Sequence, residues 1–312
     1  MAPRGLVLVC TGYACRAAES AAKRAGAELV EAYAKTFPDG ERYVRIDAQL
    51  AGRPVAVVYT GFPGPSERLV EGMLLVEASR GLGAAAVVAA PLYLHYSRQD
   101  RRFLRGEPVS VKAALLALAA AGAGAVATVD VHKPASLEWF PGPVANIDPA
   151  PAFASALRPA VAGDTVYVVA PDRGALGRAH RLAEELGAAF DYLEKRRDRV
   201  TGEVTLKPKT IDVQGATVIL VDDIVSTGGT LAKAARLLLA QGARRVLAAV
   251  AHCLLVGNAV ENLEDSGLER LYCTNTVEPR WEKAEIVDIG PLLAEELHGL
   301  VEKLLGYEQE AP

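Results

Sequence analysis

Two tandem α/β domains, each a mainly parallel sheet flanked by helices, are predicted by three features of this 312-residue chain. Short apolar runs alternate with helical patterns from end to end. The order and spacing of one strand–turn–helix–strand unit in the first half recur in the second. Pro143, Pro149 and Pro151 gather where the halves would join. Alternation of this kind signals a parallel sheet, because a crossover helix must return the chain before the next strand.

The predicted strands are 6–10, 55–59, 85–90, 125–130, 166–170, 217–221, 246–251 and 271–274. They are short, continuous and apolar, as strands covered on both faces must be. A further, more polar strand, 42–46, follows the turn Phe37-Pro38-Asp39-Gly40-Glu41. The predicted helices are 14–25, 67–80, 111–121, 175–186, 231–241 and 292–305, with Gly81 and Gly242 acting as stops. In the first half, strand 55–59 leads through Thr60-Gly61-Phe62-Pro63-Gly64 to a helix and then strand 85–90. In the second, strand 218–221 leads through its own turn to helix 231–241 and strand 246–251. A duplicated domain is the natural inference. The expected division is 1–146 and 147–312, with the boundary near 146–151.

Composition narrows the function classes. The chain is 51% hydrophobic and 23% charged, so it can bury a large core and is not a disordered chain. Its net charge of −4 argues against a nucleic-acid partner, which selects a basic face. Residues 113–129 come nearest to a membrane-spanning run but read as a buried helix followed by a strand, so no membrane partner and a cytoplasmic location are expected. Cys10, Cys15, Cys253 and Cys273 lack metal-ligand spacing and are expected to be reduced, mostly buried thiols.

The chemistry concentrates in Thr217-Val218-Ile219-Leu220-Val221-Asp222-Asp223-Ile224-Val225-Ser226-Thr227-Gly228-Gly229-Thr230. A buried strand runs into two acids, then a small-residue turn, then a helix. Backbone amides and hydroxyls of such a turn can close around a phosphate, helped by the positive end of the helix. Asp222 and Asp223 would repel that phosphate, so they must face sugar hydroxyls or a divalent cation. The segment therefore asks for a phosphorylated sugar. It is not a Walker loop, since no Gly-Lys-Ser/Thr follows the glycines.

Other constellations support a phosphate-rich ligand. Arg98-Gln99-Asp100-Arg101-Arg102 supplies guanidinium and amide groups suited to a planar, phosphorylated molecule. His132 and Asp172 follow predicted strands, where ligands of parallel sheets gather. With the Asp222–Asp223 pair they favour a magnesium-phosphate site, His132 meeting either a phosphate or the metal. Glu194-Lys195-Arg196-Arg197-Asp198-Arg199 reads either as a solvated charge run or as a mobile basic loop that closes over a polyphosphate.

The Asp222–Thr230 run resembles the phosphoribosyl-pyrophosphate (PRPP) loop of type I phosphoribosyltransferases and PRPP synthetases. Together with Phe37–Glu41, Tyr96–Arg101, Asp130–His132, Val169–Asp172 and Lys195–Arg197, the chain resembles the ribose-phosphate diphosphokinase (PRPP synthetase) family over nearly its whole length. The resemblance implies two tandem phosphoribosyltransferase-like domains, the second alone carrying the sugar-phosphate loop. It implies transfer of a diphosphoryl group from Mg-ATP to ribose 5-phosphate, giving PRPP and AMP. By motif position, Ser226, Thr227, Gly228, Gly229 and Thr230 hold the 5-phosphate, and Asp222 and Asp223 the ribose hydroxyls. Asp172 lies beside ribose and metal, and His132 meets the ATP phosphates or their Mg²⁺. Arg98, Gln99 and Asp100 belong to the ATP motif. Phe37, Asp39 and Glu41 clasp adenine from a neighbouring subunit, which implies a homo-oligomer with a shared active site. Lys195 and Arg197 stabilise the transferring group.

The chain also departs from that family. Ser226 stands where many members have Asp, and Phe103, Leu104 and Gly106 interrupt a basic and hydroxyl-rich stretch, although Arg102 and Arg105 remain. The residues after Gly61 also follow a different form. Two rival functions share the resemblance: a phosphoribosyltransferase that consumes PRPP, and a non-catalytic regulatory member of the fold.

Overall fold

The computed structural model describes residues 5–197, 204–207 and 211–306. The chain divides into two compact units. One comprises Met1–Asp148, Asn275–Val277 and Asp288–Pro312, the other Pro149–Thr274 and Glu278–Val287.

The first unit contains β1 (Val7–Cys10), α1 (Cys15–Ala25), β2 (Glu28–Glu31), β3 (Tyr33–Thr36), β4 (Arg42–Arg45) and β5 (Pro54–Tyr59). There follow α2 (Pro65–Gly81), β6 (Ala86–Pro91), α3 (Ser110–Ala120), β7 (Ala125–Val129) and β8 (Val144–Ile147). Its six-stranded sheet has the order β2-β1-β5-β6-β7-β8 and every pairing is parallel. The central strands are buried and almost wholly apolar because both faces are covered. Leu8 and Cys10 join one core with Ala17, Ala18 and Ala21 of α1, while Val7 and Val9 join the opposite core with Leu75 of α2 and Leu115 of α3. Strands β3 and β4 form a separate antiparallel hairpin.

The second unit contains α4 (Ala150–Leu157), β9 (Val166–Ala170), α5 (Leu176–Leu186), β10 (Ala189–Tyr192), β11 (Glu194–Arg197), β12 (Val204–Lys207) and β13 (Thr217–Val225). There follow α6 (Gly229–Ala240), β14 (Arg245–Cys253), α7 (Ala259–Glu264), β15 (Leu268–Thr274) and β16 (Ala284–Val287). Its parallel sheet runs β10-β9-β13-β14-β15-β16, strand for strand the order of the first unit. The β11–β12 hairpin stands outside that sheet, as β3–β4 does in the first unit.

Helix α8 (Gly290–Leu305) groups with the first unit. It follows the second unit's last strand in sequence and packs on α1 in the first unit. Reciprocally, α4 follows the last strand of the first unit and packs on α5 in the second. The α1–α8 contact is close. A Cβ at Gly290 would lie 2.4 Å from Ser20 Cβ and 2.8 Å from Ala17 O, so only glycine fits.

The cysteines also depart from expectation. They form two disulfides, Cys10–Cys15 and Cys253–Cys273, not reduced thiols. Folding supplies the proximity that spacing conceals. The β1–α1 turn brings the first pair to a Cα separation of 5.1 Å, and the adjacent strands β14 and β15 bring the second to 5.9 Å. The bridges span 5 and 20 residues. Loop-closure entropy then gives stabilisations of ~2 and ~3 kcal/mol. Urea unfolding with and without reductant should show a matching loss, and an unmoved midpoint would contradict it.

No helix among the described residues is long and apolar enough to cross a membrane.

Candidate active site

The carboxyl edge of the second unit's sheet gathers the residues expected to hold a sugar phosphate. Strand β13 stays buried through Val221 and then carries Asp222 and Asp223 to the end of the sheet. Its neighbour β9 pairs in parallel register, Leu220 opposite Val169. Asp222 and Asp223 therefore emerge at the same level as Asp172, which follows β9. Asp172 caps the short turn Arg173–Ala175 by accepting a 2.8 Å hydrogen bond from Gly174 N–H at Oδ1.

Beyond Val225 the chain turns tightly through Ser226 and Thr227 into α6. Gly228 adopts φ +73°, and a Cβ there would lie 3.0 Å from Ala259 O. Both the left-handed backbone and the close approach demand glycine. Val256 N–H donates to Ser226 O and Asn262 Nδ2 to Thr227 O, each at 2.9 Å, so carbonyls on the back of the loop are held from the α7 side. The first-turn amides of α6, from Gly229 onward, provide the dipole end expected to receive a phosphate.

A cavity of about 460 Å³ opens beside this edge, lined by Asp172, Arg173, Gly174, Tyr192, Leu193 and Glu194. Glu194 is also the first residue of β11, so the hairpin bearing Lys195 and Arg197 leaves directly from the cavity wall. The basic run is thus a strand through Arg197, with Lys195 opposite Leu206 and Arg197 opposite Val204. Residues 198–203 and 208–210, including Asp198 and Arg199 of the charge run, lie outside the described residues.

Electrostatics sharpen the acid pair. Burial first, then the charge and hydrogen bond of Asp223, push the Asp222 carboxyl well above the usual carboxylate range, against the pull of Arg178. Asp223 is itself buried and faces Arg178, with Nη2 3.7 Å from Oδ2. Arg178 is a site residue that the sequence motifs do not reveal. Its signal is a cation interrupting the buried stripe of α5, between Ala175, Ala179 and Leu182. A carboxyl raised in the folded state makes stability fall as pH climbs from the unfolded value of about 3.9 through the raised one. Asp222→Asn removes that term and keeps an Oδ1 acceptor for Asp223 N–H. The variant should melt higher than wild type at neutral pH and show a flatter stability profile above pH ~4. A lower melting point at pH 7 would contradict this.

The first unit has its own carboxyl edge. Arg98, Gln99 and Asp100 follow β6, and His132 follows the neighbouring β7. Arg98 is exposed and His132 half-buried. Gln99 is fixed by Ser110 Oγ, which donates to its Oε1 at 2.6 Å. Phe37, Asp39 and Glu41 occupy the β3–β4 turn, where Glu41 N–H donates to Asp39 Oδ1 and the Phe37 ring meets Tyr43 at 5.7 Å. His132 and Asp172, read together as metal residues, fall in different units.

Comparison with known proteins settles the family. Residues 6–122 match the N-terminal domain of ribose phosphate pyrophosphokinase, and residues 152–285 the phosphoribosyl transferase domain. The ribose-phosphate pyrophosphokinase of Aeropyrum pernix is 42% identical over 291 residues, spanning 92% of this chain and 93% of its own. That of Methanopyrus kandleri is 40% identical, spanning 95% and 99%. This chain belongs to the ribose-phosphate pyrophosphokinase family. The phosphoribosylpyrophosphate synthetase of Mycobacterium smegmatis gives a structural match with TM-score 0.85 at 28% identity, covering 96% of this chain and all of the other. The two-domain parallel-sheet reading therefore holds, and the chain is an enzyme of the diphosphate-transferring class.

The family resemblance implies magnesium carried by a polyphosphate. Among the described residues no three His, Cys, Asp or Glu side chains cluster as a metal cage. The carboxylates at the β9 and β13 ends instead offer the one or two oxygen donors that Mg²⁺ takes when phosphates and water complete its shell. The donor set fits a metal shared with substrate.

Proposed function

We propose that this pyrophosphokinase transfers the β,γ-diphosphoryl group of ATP to the anomeric hydroxyl of ribose 5-phosphate in a Mg²⁺-dependent reaction, giving PRPP and AMP. The observation that carries this reading is one sheet edge presenting an acid pair, half-buried Asp222 and buried Asp223, just before the glycine-containing turn Ser226–Thr230. Acids for sugar hydroxyls and amides for a terminal phosphate match a phosphorylated pentose held at both ends.

In the reaction, the anomeric oxygen attacks the β-phosphorus, the bond from that phosphorus to the oxygen bridging it to the α-phosphorus breaks, and AMP leaves with that oxygen. The proton of the hydroxyl is released to solvent. Ser226, Thr227, Gly228, Gly229 and Thr230 hold the 5-phosphate, while Asp222 and Asp223 orient the ribose hydroxyls. Arg178, held against Asp223, fixes the acid's direction. Arg98, Gln99, Asp100 and His132 bind ATP, and Phe37, Asp39 and Glu41 clasp its base from a neighbouring copy in a homo-oligomer. Lys195 and Arg197 meet the charge on the group in flight, the role electrostatic stabilisation plays in phosphoryl transfer. Bound Mg²⁺ supplies charge neutralisation on the phosphates, with Asp172 and His132 as its protein-side neighbours. A cytoplasmic enzyme feeding nucleotide synthesis is the fitting context.

Incubation with Mg-ATP and ribose 5-phosphate should release AMP and PRPP in equal amounts. Consumption of PRPP with a free base, without AMP, would identify a phosphoribosyltransferase instead. No turnover with either set would identify a regulatory member.

A further inference from the structure

We propose that the Arg42–Glu71 ion pair anchors the β3–β4 hairpin and thereby positions Phe37, Asp39 and Glu41 on the nucleotide; the second half of this inference rests on the function proposed above.

The hairpin needs an anchor. Its two strands pair only with each other and share no ladder with the parallel sheet. Tyr33, Phe37 and Tyr43 are exposed, and within the hairpin Val44 packs against the core, with the flanking Ala32 and Ile46 buried at its base. Behind the hairpin lies a cavity of about 510 Å³ lined by Thr11, Gly12, Tyr33, Ala34, Arg42 and Arg68 among others. Apolar packing therefore holds the base of the hairpin but does not reach the exposed 37–41 turn.

Glu71 of α2 supplies the fixed point. Its side chain is fully buried. It accepts from Thr11 Oγ1 at the end of β1 at 2.8 Å, from Arg68 Nη1 at 3.0 Å, and from Arg42 Nε at 2.6 Å, with Arg42 Nη2 as a further donor. Burying a carboxylate costs free energy unless it is paired and hydrogen-bonded in this way. Arg42 is the member that belongs to the hairpin, and it adjoins Glu41. Its remaining arm, Nη1, donates to Thr36 Oγ1 at 2.8 Å, across the strand pair that closes the hairpin. Thr36 and Arg42 flank the 37–41 turn. One planar guanidinium thus clamps the neck of the turn and ties that neck to the core, a fork that a lysine cannot reproduce.

The test uses Arg42→Ala, which leaves Glu71 its bonds to Thr11 and Arg68 and so spares the core, with Arg42→Lys as the conservative variant. Amide hydrogen exchange without substrates should speed up across 33–45 in Arg42→Ala and stay unchanged in the parallel sheet. The KM for ATP should rise about ten- to hundredfold, the scale of a small misplacement of binding groups. The KM for ribose 5-phosphate and the kcat at saturating ATP should stay near wild type, and Arg42→Lys should recover part of the ATP affinity. Unchanged exchange at 33–45 overturns the anchor whatever the kinetics show. Faster exchange with an unaltered KM for ATP overturns the positioning role and places the error in the assignment of Phe37, Asp39 and Glu41 to the nucleotide. Absence of AMP formation by the wild-type enzyme would instead fault the proposed reaction, and the exchange result would still judge the anchor.

Discussion

Lys195→Ala should lower kcat by about 10²–10³, or ~2.7–4 kcal/mol of transition-state stabilisation, the usual loss when a preorganised electrostatic partner of the transferring group is removed. The KM values for both substrates should move far less. Lys195 lies on β11, outside the parallel sheet and one residue beyond Glu194 of the cavity wall. In the proposed reaction Lys195 acts on charge that develops during transfer, so its deletion should show in kcat and kcat/KM together. Steady-state kinetics with each substrate varied separately checks this. A large rise in KM with kcat intact would make Lys195 a ground-state binding residue.

Asp223→Ala should lower kcat/KM for ribose 5-phosphate by roughly ten- to hundredfold and leave the KM for ATP close to wild type. A buried carboxylate that accepts from sugar hydroxyls contributes about 1.5–3 kcal/mol through charge-assisted hydrogen bonds. Each 1.36 kcal/mol is a tenfold change in rate. The fold should survive. Removing Asp223 takes a carboxylate from Arg178 but also relieves Asp222 of the neighbouring charge that raises its proton affinity. Unfolding curves should therefore shift little while the ribose 5-phosphate kinetics collapse. A variant that loses ATP affinity equally would show that the acid serves the nucleotide or its metal.

The parallel sheets are legible in the sequence because their inner strands are buried on both faces and carry continuous apolar runs, as 55–58 and 218–221 do. The edge strands escape notice for the complementary reason. β2 (Glu28–Glu31) buries none of its residues fully, and β10 (Ala189–Tyr192) is mostly open, so neither shows a continuous apolar run. β11 is disguised by its charges, Glu194-Lys195-Arg196-Arg197. The sugar-phosphate loop is readable since sequence neighbours build it. Arg178 and Glu71 are not, because each acts across elements: Arg178 reaches Asp223 from α5, and Glu71 joins β1, α2 and β4. The disulfides escape for the same reason, their partners meeting only when β14 and β15 lie side by side or the chain turns into α1. Helix α8 shows that chain order does not decide domain membership.

The most direct test of the central claim is a crystal structure of the enzyme with ribose 5-phosphate. The account predicts the phosphate seated on the backbone amides of Ser226–Thr230, with the ribose hydroxyls toward Asp222 and Asp223. A sugar phosphate bound at any other place, with that turn unused, would contradict it.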